Sequence, residues 1–88
     1  MTRKSLPSTQ FILFMYYVYI IKNQIKRKIY IGYSDDLKRR IKEHKNPELI
    51  YYEAYKLEKD ARNRERKLKQ RGQAIRRLKE RLKSSLEE

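Results

Sequence analysis

The 88-residue chain predicts a single α+β domain: a small three-stranded antiparallel sheet flanked by helices, in the order β-β-α-β-α-α. Three observations lead there. Two short runs rich in Tyr and Ile, Tyr16 to Lys22 and Lys28 to Tyr33, lie close together in the first half of the chain. From Leu57 onward the composition turns to Lys, Arg, Glu, Ala and Leu, the residues that favour helix. A chain of this length supports one modest core and buries roughly 60% of its unfolded surface, so a second domain is excluded.

The polar stretch Asn23-Gln24-Ile25-Lys26-Arg27 has the length and composition of a hairpin connection, so the first two strands should pair antiparallel. Ser34, Asp35 and Asp36 then supply capping groups and negative charge for a helix that runs from Leu37 to about Lys45, where Asn46-Pro47 ends it. Glu48 to Tyr55 reads as the third strand. Gly72 divides the remaining helical stretch into segments at about 58–71 and 73–84. In the last of these, Ile75, Leu78 and Leu82 form a face expected to pack on the domain. Residues 1–14 read as a flexible leader, 15–84 as the domain and 85–88 as a tail, with Met15 an alternative start.

Charge dominates the composition: 24 Lys and Arg against 11 Asp and Glu leave +13, and residues 56–88 alone hold 13 basic against 6 acidic residues. A chain this short cannot scatter that charge, so polyanions are the expected partners. Solubility is the plainer explanation, but it is usually served by mixed signs and a smaller net charge. A membrane partner is not expected. The apolar run Phe11 to Ile21 is 11 residues, short of the roughly 18–20 needed to span a bilayer, and no small-residue cleavage site follows it before Lys22. With no Cys, disulfides and thiolate metal sites are excluded, and a reducing, cytoplasmic location is expected.

Tyr17-Val18-Tyr19, then Tyr30-Ile31-Gly32, then Arg40, then Ala61-Arg62-Asn63-Arg64-Glu65, taken in this order, resemble the GIY-YIG nuclease domain, in particular its short stand-alone members. The resemblance covers about residues 16–82. It implies a site built from Tyr19, Tyr30, Gly32, Arg40 and Glu65, with His44 where the family often has His or Tyr. Tyr17 stands where the motif name implies Gly, a common substitution in small members. No Asn follows Glu65 like the one many cutting members carry, a departure that bears on catalysis more than on fold.

The positions also make physical sense. Leu37, Arg40, Ile41 and His44 fall on one helical stripe, so Arg40 and His44 should point inward or along the sheet edge, whereas Lys38 and Arg39 face solvent. Arg40 is then either a phosphate or transition-state group or one half of a core-edge salt bridge. His44 is either a supporting residue or a packed, capping one. Ala61, Glu65 and Leu68 share a face of the next helix, and Glu65 needs a partner: Lys69 or Arg62 as an ordinary helix pair, or a divalent cation. Tyr19 and Tyr30, in the interior of paired strands, are expected to be buried, and ring packing alone would explain them. Gly32 allows close approach beside Tyr30 or marks a bulge.

The resemblance implies a divalent-metal-dependent endonuclease acting on DNA, with RNA the other nucleic acid it could take. Tyr30 would activate water, Tyr19 would orient it, Arg40 would stabilise phosphoryl charge, and Glu65 would hold one Mg²⁺ or Mn²⁺ ion. Lys38, Arg39, Arg62, Arg66, Lys69 and Arg76 are the candidate phosphate contacts, implying salt-dependent binding with little sequence preference. The alternative is a non-catalytic basic nucleic-acid-binding module on the same fold. A monomer is expected, with recruitment into a larger repair or mobile-element complex compatible with either reading.

Overall fold

One strand determines the layout, because its residues are apolar on both faces. In the computed structural model, which describes residues 15–70 and 72–87, β1 (Tyr16–Asn23) is central. It pairs antiparallel with β2 (Ile29–Ser34) on one side and with β3 (Pro47–Tyr55) on the other. The helices are α1 (Leu37–Lys42), α2 (Glu58–Lys69), α3 (Gln73–Arg81) and a short α4 (Lys83–Glu87). The expected fold class and element order are therefore observed. The leader read at residues 1–14 lies outside the described residues. No described helix is long and apolar enough to cross a membrane.

Alternation along β1 sends Val18 and Ile20 to one face and Tyr17, Tyr19 and Ile21 to the other. Val18 and Ile20 form the core with Ala61 and Leu68 of α2 and Leu78 of α3; Ile31, Tyr33, Ile75 and Leu82 pack around them. The face of α3 anticipated from Ile75, Leu78 and Leu82 is therefore the packed one. A register shift opposite Ile20 and Ile21, where the partners pass from Tyr51 to Leu49, leaves Ile50 as an extra residue in β3. This bulge sends Tyr51, Glu53 and Tyr55 to the helix-covered face and Leu49 and Tyr52 to the α1 face.

The connections are held by short polar contacts. Asn23 closes the hairpin: its Oδ1 accepts from the N–H groups of Ile25 at 2.9 Å and Lys26 at 2.8 Å, and Arg27 takes a left-handed φ of 59°. Ser34 and Asp36 start α1, with the Asp36 carboxylate accepting from the Arg39 N–H at 3.1 Å. α1 ends at Lys42, three residues earlier than expected, because a tighter turn follows, in which the Glu43 N–H bonds Arg40 O and the His44 N–H bonds Ile41 O, each at 3.1 Å. Asn46, with φ 48°, then turns the chain into β3. Gly72 separates α2 from α3 as anticipated. Lys22 is buried and donates from Nζ to Leu86 O at 2.6 Å, tying α4 to the end of β1.

On the helix-covered face, Glu53 gathers four donors. Arg64 grips it through Nε at 2.9 Å and Nη2 at 2.9 Å; Tyr51 donates at 2.7 Å and Tyr55 donates to the other oxygen. Burial alone pushes the Glu53 carboxyl up, but hydrogen bonds from Arg64, Tyr55 and Tyr51 outweigh it and hold the group below its usual range. Burial and the bond to Glu53 push Tyr55 up to about 12.

A depressed folded-state pKa contributes stability above the unfolded value that is lost as pH falls through the folded one. Acid titration should therefore show a Glu53-dependent loss of stability that begins near the unfolded value of roughly 4.3, whereas the Tyr55 contribution should fade between pH ~10, its unfolded value, and about 12. Glu53→Gln should cost about 1–3 kcal/mol at neutral pH and remove the acid limb, measured by urea unfolding at several pH values.

Candidate functional site

The α1 face of β1 carries Tyr19, and its phenol lies across β2. Tyr19 pairs in register with Gly32, and a Cβ built on Gly32 would fall 2.3 Å from both Cζ and Oη of Tyr19. Gly32 is thus required by the phenol lying over its Cα, and its φ is not in the left-handed region. Tyr19 is 3% exposed, whereas Tyr30, on the same face of the edge strand, is 45% exposed. The expectation of two buried phenols therefore holds only for Tyr19. Tyr30 is open because, among the described residues, β2 has no neighbour on its outer side.

His44 closes the other side of the phenol. Its Nε2 lies 3.3 Å from Tyr19 Oη, and its ring centroid is 6.1 Å from that of Tyr19 and 6.0 Å from that of Tyr30. Because α1 stops at Lys42, the turn after the helix, and not a helical stripe, places His44 here. That turn is anchored to the hairpin: Asn23 Nδ2 donates to Lys45 O at 3.0 Å, and the Gln24 N–H donates to Asn46 O at 2.9 Å. The sequence marks Asn23 and Gln24 only as turn residues, since nothing in the local pattern signals a contact some twenty positions away.

Arg40 stands on α1 with its Nε 3.5 Å from Glu43 Oε1. The ion pair is close enough for electrostatic attraction, yet no acceptor meets hydrogen-bonding geometry at Nε, which is itself buried. A buried N–H without an acceptor costs about 1–3 kcal/mol. An anion oxygen is the chemistry that would satisfy it.

Glu65 comes from the opposite side of the sheet. On α2 it sits between the fully buried Ala61 and Leu68, as the spacing predicted, and its side chain is 20% exposed. Its carboxylate is 2.9 Å from Lys69 Nζ, the helix partner anticipated for it. Its charge still reaches Tyr19: burial pushes that phenol's pKa up, Arg40 opposes the rise, and Glu65 and Glu43 add to it. Tyr19 therefore keeps its proton at neutral pH and acts as a donor. In the tautomer that leaves His44 Nε2 bare, the Tyr19 O–H donates to it.

Tyr30 joins the two halves. It lines a cleft of about 290 Å³ with Glu43, His44 and Lys45, and a second of about 430 Å³ with Leu68, Lys69, Gln70 and Lys79. A third cleft, of about 420 Å³, is walled by Arg62, Glu65, Arg66 and Lys69. Among the described residues no three His, Cys, Asp or Glu side chains gather as a metal-binding group. Glu65 is the one carboxylate among the walls of that cleft, which suits a hard cation that takes one protein oxygen and completes its shell with water and phosphate. The ammonium already against it marks the position as one that holds positive charge.

The candidate phosphate contacts Lys38, Arg39, Arg62, Arg66, Lys69 and Arg76 are all exposed. Several are engaged within the chain: Arg39 with Asp35 at 3.8 Å and Asp36 at 3.6 Å, Arg66 with Asn63 at 3.0 Å, and Arg62 with Glu58 at 3.0 Å while it stacks over the Tyr33 ring at 4.4 Å.

A model of the GIY-YIG catalytic domain matches residues 15–79. Searches of curated proteins and of solved structures return no match.

Gly32→Ala should displace the Tyr19 ring and destabilise the fold by about 1–3 kcal/mol through overpacking. Loss of the Tyr19–His44 ring contact in NMR, with the sheet retained, is the expected outcome; an unchanged contact and melting temperature would contradict the geometry.

Proposed function

The chain belongs to the GIY-YIG catalytic-domain family, and on that premise we propose that it is a divalent-metal-dependent endonuclease that hydrolyses phosphodiester bonds in DNA. Family membership carries a nuclease-type function and a nucleic-acid substrate in general; the residue roles are our reading. The observation that carries it is Arg40 Nε, a buried cationic donor with no acceptor, on the helix beside the Tyr19 phenol.

In this reading a phosphate enters along the outer edge of β2, and Arg40 binds its non-bridging oxygens, where charge grows in the transition state. Tyr30, the exposed phenol, takes a proton from the attacking water as it passes its own hydroxyl proton to solvent; this role follows from the family resemblance. Tyr19 keeps its proton and orients the water or His44 by donating a hydrogen bond. His44, between the two rings, holds them in position. The water oxygen bonds to phosphorus as the bond to the leaving oxygen breaks. Glu65 would hold one Mg²⁺ or Mn²⁺, which when bound supplies stabilisation of charge on the leaving oxygen. Arg62, Arg66 and Arg76 position the backbone without reading bases.

The Lys69–Glu65 pair favours a second reading, a basic binding module without turnover, because the carboxylate already has an ordinary helix partner.

Glu65→Gln and Arg40→Ala should each lower the cleavage rate about 10²–10³-fold and change duplex affinity only a few-fold, measured by metal-titrated nicking and by binding of an uncleaved duplex. Arg40→Lys should fall between, since a point charge does not replace the guanidinium fork. Absence of cleavage by the wild type with either ion on duplex, branched and single-stranded DNA would leave the binding module. Duplex affinity should fall steeply between roughly 50 and 200 mM salt, and the loss should shallow in Arg62→Ala and Arg66→Ala; a salt-independent affinity would contradict backbone binding.

A further inference from the structure

Glu65 already holds a cation, and that cation obstructs another. Lys69 Nζ is 2.9 Å from Glu65 Oε2, so it occupies the oxygen a divalent ion would take and adds a repulsive unit charge at short range. An ion can bind only if Lys69 leaves. Nothing prevents its leaving: the side chain is 55% exposed, on a flexible stem at the last residue of α2. The clefts it lines offer Arg62, Arg66 and Lys79 as charged neighbours, and Glu65 is the lone carboxylate among their walls. A displaced Lys69 therefore passes into solvent among like charges, a position that an arriving anion would stabilise.

We propose that Lys69 is a counter-ion latch that couples metal binding to nucleic-acid binding. A phosphate of the substrate draws the ammonium off Glu65 and uncovers the carboxylate for the ion; conversely, a bound ion releases Lys69 to the phosphate. The two affinities must then rise together by the same factor, as linkage requires. The proposal rests on Glu65 being the ion's ligand and adds that Lys69 competes with the ion for that carboxylate until substrate arrives. Lys69 acts through Glu65 and is a positioning residue.

The test is Mn²⁺ affinity measured from the electron paramagnetic resonance of the free ion, on the full chain at constant ionic strength. It is run with and without an all-phosphorothioate duplex, correcting for Mn²⁺ bound by the duplex alone. Without duplex, Lys69→Met should bind Mn²⁺ about fivefold more tightly than wild type, and the duplex should shrink that ratio toward one. Lys69→Arg should keep the wild-type coupling. Equal Mn²⁺ affinity of wild type and Lys69→Met without duplex, both lost in Glu65→Gln, would overturn the latch and leave Glu65 as the ligand. Binding that persists unchanged in Glu65→Gln would overturn the ligand assignment and the latch with it.

Discussion

The structure depends on β1 being buried on both faces. Its unbroken buried stretch, Tyr17 to Lys22, allows a three-stranded sheet to carry a helix core on one side and a polar site on the other. Val18 and Ile20 use one face to hold α2 and α3, which sets where Glu65 stands. Tyr19 uses the other face and lies over the bare Cα of Gly32. Because the two faces alternate residue by residue along one rigid strand, the position of the carboxylate on α2 and that of the phenol beside α1 are fixed relative to each other.

The site's electrostatics are those of charges held in local pairs. Arg40 leans on Glu43, Glu65 on Lys69, Arg39 on the acids that start α1, and Arg62 on Glu58. Such exposed pairs are worth only tenths of a kcal/mol to about 1 kcal/mol each, so a polyanion can exchange them at little cost. Arg40 differs from the rest, since its buried Nε is left incompletely satisfied. The large positive charge thus favours a polyanion as a whole, while the proposed chemistry would rest on the few side chains whose pairing is incomplete or exchangeable.

Much of this was legible in the sequence, and the limits have physical causes. Strand and helix order followed from periodicity, Gly72 and Asn46-Pro47, and the inward stripe of Ala61, Glu65 and Leu68 survived because α2 is long and regular. Tyr30, expected to be buried, is exposed, because strand alternation does not reveal which strand lies at the sheet's edge. His44 was placed on a helix that ends before it; the turn that positions it is held by Asn23 and Gln24, a long-range contact without a local signature. The bulge at Ile50, which redirects Tyr51, Glu53 and Tyr55 to the helix side, was equally invisible, since alternation gives no warning of an extra residue. Glu43 as the companion of Arg40 could have been found from its i,i+3 spacing.

The central claim is that Glu65, Arg40 and the two phenols meet around the outer edge of β2 to serve one phosphate. Anomalous diffraction from crystals grown with Mn²⁺ and an uncleavable duplex tests it directly. A peak beside the Glu65 carboxylate, with a phosphate next to Arg40 and Lys69 swung away, is the predicted result. A peak remote from Glu65, or a phosphate path that never approaches Arg40 and Tyr30, would contradict it.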